Sequence, residues 1–503
     1  MPGLGSLSKS AFKIEGGAKT GTGLVNSTYP QQPDTTSPHA DEEEVFLKSS
    51  DLIPFLSESV EEEHTFESDE TLIGTPAVSN MDRVGLIGGG SIECQGMYDA
   101  LDALIACAMG FENPEATDSP TYQNATALTA GGGIGAGTWV DSGTPFASTD
   151  VGKFIRVTNG TGEGQVRRIS GYTNSSTVSI TPNWGTTPSA GNTGSMADEF
   201  LHLYELAPRL ADELFADLDD NQGFTYPTGG IGTATDQIIR RGTLGFLKQS
   251  TTPWIWRSCM INGMGISVDA GGSMKFTFDI IPFDLDRSSS TNGASSADNW
   301  DWDHAKPSTV ANSNFQTNEL ILFNHLTGSG FWRVDTFANG AMTSADEYGF
   351  NSFNLQLNNN LKVDDQDALT GEYRVEPGRG GFREVTGSFS LPRYSAETFI
   401  DWAANETVLQ MHLKFVGSTL VSSARSFEIF LSSMQITKPS APVGGADVIQ
   451  QTFEFRALIP TEEPTFISSG NPTQIITSPR SEMMIRILNQ NPFNQFRDQN
   501  QEY

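Results

Sequence analysis

FNSFNLQLNNNLKV (residues 350–363), a charged turn, and EYRVEPGRGGFREVTGSFSL (372–391) decide how this chain is read. In the first part Phe353, Leu355, Leu357, Leu361 and Val363 share one parity, and Ser352, Asn354, Gln356, Asn358 and Lys362 the other. In the last part Val385, Phe389 and Leu391 alternate with Glu384, Thr386, Ser388 and Ser390. A period of two means strands with one buried and one wet face. Only Asn359 breaks the pattern.

The end of this stretch has a degraded copy earlier in the chain. LIGGGSI (86–92) aligns with VTGSFSL (385–391), placing Gly88 on Gly387 and Ile92 on Leu391, and a helical segment follows each. MGISV, a Gly-Gly pair and MKFTF (264–278) align with MQITK, Gly444-Gly445 and VIQQTFEF (434–455). Met264 and Ile266 then match Met434 and Ile436, and the F-x-F of Phe276 and Phe278 matches Phe453 and Phe455. Strand, helix and hairpin therefore occur twice in the same order, which duplication explains best.

Working outward, the chain divides into an extended N-terminal arm (1–50) that closes on Asp41, Glu42, Glu43 and Glu44, a first domain split into 51–118 and 197–286, an insert at 119–196, a linker at 287–313, a second domain at 314–465 and an extended C-terminal tail at 466–503. In the first domain VGLIGGGSIEC (84–94) reads as a strand, with Val84, Leu86, Ile92 and Cys94 on one parity. MYDALDALIACAMG (97–110) reads as a helix over a sheet, with Gly110 as its C-cap. ADELFADLDDNQ (211–222) is a short acidic helix or loop. Residues 256–283 form a hairpin about Gly271-Gly272, with Met264, Ile266, Val268, Met274, Phe276, Phe278 and Ile280 facing inward. In the second domain RYSAETFIDWAANET (393–407) offers a helix with Ser395 as N-cap. The insert, rich in Gly, Ser and Thr, reads over 151–184 as three strands broken at Asn159-Gly160 and Asn174-Ser175.

A length of 503 residues implies two or three domains, and 51 glycines with 25 prolines suit a turn-rich β protein. The net charge of −31 argues against binding nucleic acid by phosphate neutralisation. It fits a surface that repels polyanions. Three cysteines, Cys94, Cys107 and Cys259, give no disulfide framework and no zinc signature. The opening residues hold no apolar run, so no signal peptide is expected, and no stretch is long and apolar enough for a membrane span.

No catalytic constellation occurs. The histidines at 39, 64, 202, 304, 325 and 412 are scattered, and HExxH, GxSxG and GxGxxG are all missing. DLDDNQG (217–223) has its glycine one place late for a calcium loop and lacks the closing Glu. Asp298, Asp301 and Asp303 read better as solvated linker than as a cation site. The expectation is no enzyme, no cofactor and no metal. A glycan hydrolase using paired carboxylates has acids available, but nothing sets two of them across a sugar.

FESDET (66–71) leading into the Gly-rich strand and helix, the hairpin SVDAGGSMKFTFDI, and LQLNNNL…RGGFREVTGSFSL together resemble the tail tube proteins of long-tailed bacteriophages. The insert, on its GxGQxRxIxxY…W pattern, is similar to a small β module found in phage tail proteins. The resemblance implies a mainly β fold: two tandem tail-tube-like β-sandwich domains, each with one helix, plus a small inserted all-β domain. It further implies homotrimeric rings, pseudo-hexameric in domains, stacked into a tube in the virion tail after assembly in the host cytoplasm. Tape-measure protein and tail terminator or tip proteins would be partners, and DNA would pass through an acidic lumen without specific binding.

The lumen-lining candidates are Glu61, Glu62, Glu63, Glu67, Asp69, Glu70, Asp364, Asp365 and Asp367, which flank the repeated units. They are too dense to be buried without partners. The other reading is a β-rich surface or adhesin protein that binds host glycans through the insert. Trp139, Tyr172 and Trp184 would then be the stacking residues.

Overall fold

The computed structural model describes residues 8–14, 52–68, 81–112, 120–206, 241–248, 254–286, 319–322, 330–337, 342–361, 380–394, 397–420, 423–442, 449–460, 466–467, 475–476, 481–493 and 495. These residues are mainly β, with two α-helices among them. Chain order begins with β1 (Lys9–Ile14), β2 (Leu52–Ile53), β3 (Ser57–Glu58), β4 (Glu61–Ser68), β5 (Met81–Gln95), α1 (Asp102–Met109), β6 (Gly110–Glu112) and β7 (Thr121–Tyr122). The inserted strands are β8 (Thr126–Thr129), β9 (Thr138–Val140), β10 (Phe154–Asn159), β11 (Val166–Asn174), β12 (Thr177–Thr181) and β13 (Thr193–Ala197). Then come β14 (Phe200–Leu206), β15 (Gly242–Leu247), β16 (Trp254–Asp269), β17 (Lys275–Ile281) and β18 (Asp284–Asp286). The second half holds β19 (Phe331–Thr336), β20 (Ser352–Asn358), β21 (Glu384–Leu391), α2 (Thr398–Ala404), β22 (Leu409–Thr419), β23 (Ala424–Ser440) and β24 (Gln451–Ala457). The chain closes with β25 (Phe466–Ile467), β26 (Ile475–Ile476) and β27 (Met484–Asn489).

Eight strands form one antiparallel inner sheet in the order β3–β5–β17–β16–β20–β21–β24–β23. Its apolar face carries Ile92, Phe276, Phe278, Met264, Ile266, Phe353, Leu355, Phe389 and Phe453, all buried. The long strands β16 and β23 bend. Their first halves pair with β15 and β22 in an outer layer, and their second halves enter the inner sheet. The outer layer packs on that apolar face: Phe427 meets Phe276 edge-on at 5.8 Å, and Trp332 of β19 lies 4.9 Å from Phe389. Phe399 of α2 wedges between Phe389 and Phe453, at 5.4 and 5.3 Å. Such aromatic contacts fix relative position as well as burying area.

The two halves share one topology. In the outer layer β1–β15–β16 is matched by β19–β22–β23. In the inner sheet β3–β5–β17–β16 is matched by β20–β21–β24–β23, with the helix following β5 in one and β21 in the other. The residue-by-residue matches read from sequence slip, however. Phe276 sits opposite Cys94 and Phe453 opposite Phe389, so Gly387 corresponds to Ile92 and not to Gly88. Bulges near Gly263 and Lys438 shift the hairpins independently, which a linear alignment cannot register. Gly387 has its own reason to be glycine, since a Cβ there would lie 2.5 Å from the Asn354 carbonyl oxygen.

α1 ends on Gly110 in the left-handed region (φ 80°), as its composition predicts. It is buried on every side and packs against β1, β14 and β16, rather than lying over one sheet. α2 starts at Thr398 from Glu397, and Ser395 lies outside the described residues, as do 211–222 and 287–313.

One strand from the N-terminal segment, β1, and one from the C-terminal segment, β27, join the core. Composition makes residues 1–50 an arm, yet β1 pairs with β15 and buries Ala11, Phe12 and Ile14. Averaging over a polar segment conceals three well-placed apolar residues. Beyond 466, β27 is wholly buried between β14 of the first half and β23 of the second. The inserted strands form a separate six-stranded sheet, β8–β13–β10–β11–β12–β9, with its own apolar cluster. It connects through β7 and β14, where Tyr122 and Phe200 are cross-strand partners.

Candidate functional surface

The inner sheet leaves one broad face uncovered by the second layer, and alternation decides what it presents. One row of cross-strand partners runs its full width: Ser57, Glu93, Thr277, Gly265, Gln356, Thr386, Arg456 and Gln435. The next row carries Gln95, Lys275, Ser267, Asn354, Ser388, Glu454 and Lys438. Hydroxyls, amides and glycines dominate. The described charges on this face are Glu93, Asp269, Asp279, Glu384 and Glu454 against Lys275, Lys438 and Arg456, five acids to three bases. Lys275 Nζ lies 3.2 Å from Glu93 Oε1, Lys438 Nζ 2.9 Å from Glu454 Oε1, and Arg456 Nη2 donates to Glu384 Oε1 at 3.0 Å. Every base on the described face has a carboxylate against it. Burial raises the Asp279 pKa.

The sheet has two open edges. Among the described residues β3 pairs on one side only, with β5, and the second half of β23 only with β24. Between them, β16 of the first half and β20 of the second are joined along seven residue pairs, from Gly263↔Asn358 to Asp269↔Ser352. Met264, Ile266, Leu355 and Leu357 lock that joint from the buried side.

The four described lumen candidates of the sequence fall elsewhere. Glu61, Glu62, Glu63 and Glu67 all lie on β4, which forms a hairpin with the first part of β5 outside the eight-stranded sheet. Glu61, Glu63 and Glu67 are exposed, and Glu62 Oε2 lies 3.5 Å from His64 Nε2. Asp69, Glu70, Asp364, Asp365 and Asp367 lie outside the described residues. The structure therefore gathers four candidates on one strand and brings none of them onto the wet face. The charges that are on it are spread singly along strands. Their signal is parity, since each occupies the polar position of an alternating strand, whereas density picks out runs.

Buried polar groups tie the halves together. Asn359 Nδ2 donates to the Ala108 carbonyl at 3.1 Å and to the Ile261 carbonyl at 3.0 Å. His202 is fully buried, with Nδ1 2.9 Å from Glu112 Oε1 and Nε2 2.8 Å from the Asn491 carbonyl oxygen. A carbonyl can only accept, so Nε2 carries a proton and donates to Asn491, while Nδ1 and Glu112 Oε1 share a proton and Glu112 Oε2 accepts from the Gln495 amide at 2.7 Å. Burial pushes its pKa down, but the Glu112 hydrogen bond and the Glu112 and Asp102 charges outweigh that and raise it. Asn489 Nδ2 donates to the Tyr98 carbonyl at 2.9 Å and to Asp102, which pins the end of β27 to the start of α1.

Glu428 of β23 receives Arg486 Nη2 of β27 at 2.6 Å and His412 Nε2 of β22 at 2.9 Å, with Lys414 Nζ at 3.3 Å. Burial pushes its carboxyl up, but Arg486, His412 and Lys414 hold it well below the carboxylate range. Burial is the main reason that the His412 pKa is lowered to about 4.

In the insert, Trp139 is 0% exposed and Trp184 4%, with their rings 6.0 Å apart. Both are core residues, in one buried cluster with Phe146, Ile155, Val157, Ile169 and Val178. They cannot stack on a glycan from outside. Tyr172 is the exposed member of the three, at 40%. Among the described residues no cluster of His, Cys, Asp and Glu could hold a metal, and no helix is long and apolar enough to cross a membrane.

Compared with known families, residues 26–457 match the model described as phage tail tube protein. No curated protein matches the chain.

Proposed function

We propose that this chain, which belongs to the phage tail tube protein family, builds its tube from rings of three copies joined edge to edge. As a family member it is a structural component of the virion tail that assembles with itself and with other tail proteins. The observation that carries the finer reading is the β16–β20 joint. It joins the last inner strand of one repeat to the first of the next. In the matching topology β23 and β3 hold those two positions, and both are open edges among the described residues. A head-to-tail contact of this kind repeats until it closes. With eight strands per chain, all antiparallel, β23 of one copy meets β3 of the next in the antiparallel sense, as β16 meets β20.

Geometry makes two copies too narrow and admits three. Three times eight strands at about 4.8 Å spacing gives a circumference of about 115 Å, hence a barrel about 37 Å across before strand tilt widens it. Subtracting about 5 Å of side chain from each wall leaves roughly 27 Å. Two copies leave about 15 Å, less than the summed depth of about 16 Å of the two grooves of duplex DNA. The bulky outer layer belongs outside a closed ring, because the inner circumference is shorter. The wet face then lines the bore and DNA slides along it. The insert and the two outer-layer sheets face outward.

Cysteine pairs test the ring. Ser57→Cys on β3 and Gln435→Cys on β23 bring a reactive thiol to each edge, while Cys94, Cys107 and Cys259 are buried. A flexible bis-maleimide is expected to give a ladder on denaturing gels that ends at three chains. A ladder running on to six, or no cross-linked species from assembled material, contradicts three-chain closure.

A further inference from the structure

We infer that Glu93, Glu384 and Glu454 keep the wet face from holding a polyanion, each by clamping one of the three basic side chains described on it. The inference rests on the tube reading above, in which this face lines the path of DNA. Lys275–Glu93 ties β17 to β5, and Arg456–Glu384 ties β24 to β21, the matching strands of the two halves. One half uses lysine and the other arginine, yet the cation and the acid sit on corresponding strands. Lys438–Glu454 closes the third pair across the β23–β24 hairpin.

All three pairs are substantially exposed, with side chains 35% to 66% accessible, and such pairs add little to folding stability. Their effect is on what the surface offers. A free lysine or arginine exchanges counterions for phosphates, and its contribution multiplies along a polymer. Three per chain become nine per three-chain ring, repeated at each ring of a tube. A clamped cation presents a neutral pair, and the surrounding Ser, Thr, Asn and Gln side chains carry no charge. Pairing of every described base, more than a dense wall of carboxylates, makes the surface non-adhesive.

The test compares full-length chains. The wall variant is Glu93→Gln, Glu384→Gln, Glu454→Gln. The control is Glu397→Gln, Asp401→Asn, Glu406→Gln, an equal charge change on exposed residues at α2 in the covering layer. Binding of a short fluorescent DNA duplex is measured by anisotropy in low salt. The wall variant is expected to bind at least about tenfold tighter than the unaltered chain. That binding should fall about 40-fold between 50 and 200 mM salt, as three phosphate contacts per chain require. The control should match the unaltered chain. Adding Lys275→Gln, Lys438→Gln and Arg456→Gln to the wall variant should abolish the gain. A wall variant that binds no better than the unaltered chain overturns the inference, as does an equal gain in the control. Electron micrographs of the same samples separate the two claims. Missing tubes in the unaltered protein defeat the assembly reading, while DNA binding to single chains, whose wet face is open, still judges the clamps.

Discussion

Asn359 Nδ2 donates to the carbonyl of Ala108, 251 positions earlier in the chain, at 3.1 Å. Ala108 lies in the last turn of α1, where helix carbonyls lack intrahelical partners. The same amide also satisfies the Ile261 carbonyl in β16, and the Asn359 N–H donates to the Asn262 carbonyl at 2.7 Å. The one residue that breaks the alternation of its strand is therefore a polar bolt between helix, first repeat and second repeat. It interrupts the apolar series because two buried acceptors need a donor.

Asn359→Ala should destabilise the chain by about 1–3 kcal/mol, the cost of stranding buried acceptors. Asn359→Asp should cost more, because a carboxylate faces two carbonyl oxygens with nothing to donate. Urea denaturation checks both. The midpoint should fall with an unchanged slope.

Glu428→Gln should be severe, at about 3–5 kcal/mol, because it removes one charge of the buried Arg486–Glu428 ion pair. In the unaltered chain acid attacks the same place. The lowered pKa values of His412 and Glu428 mean that their stabilising contributions are complete above the unfolded values. For His412 that contribution is lost as pH falls from about 6.5 toward about 4. The Glu428 contribution is lost lower still. Melting temperature should drop through this window, and Arg486→Met with Glu428→Met and His412→Phe should flatten the drop.

His202 works in the opposite sense. Its pKa is raised, so its contribution is present below about 6.5 and lost as pH rises through the folded value. Losing a proton removes the hydrogen bond to Glu112 or to the Asn491 carbonyl. Amide hydrogen exchange over 484–491, corrected for intrinsic rates, should speed up as pH rises. His202→Gln should remove that dependence.

Alternation in 350–391 and in the 256–283 hairpin made the inner sheet legible, and Gly110 announced the end of α1. Three other features were hidden for separate reasons. β1 and β27 are short apolar runs inside polar segments, and they become strands only because β15, β14 and β23 offer edges. The buried clusters around His202 and Glu428 collect residues far apart in sequence, so no spacing betrays them. The acidic runs drew attention by density, but the wet-face charges are placed by pairing register, which exists only once strands are aligned.

Removing the insert should leave the remainder intact. Its ends are adjacent, with Tyr122 opposite Phe200 and their rings 4.6 Å apart, so a short turn can replace residues 123–199. The shortened chain should melt within about 5 °C of the full one, and electron micrographs should still show tubes, now without lateral protrusions. Loss of folding would place the inserted sheet in the core instead.

The most direct measurement of the edge-to-edge ring is an averaged end-on electron-microscopy view of purified tubes. The account predicts three insert densities around the outside, six repeats in the wall and an open bore of roughly 27 Å bounded by the wet face. Six insert densities around one ring, or a bore lined by the outer layer, would contradict it.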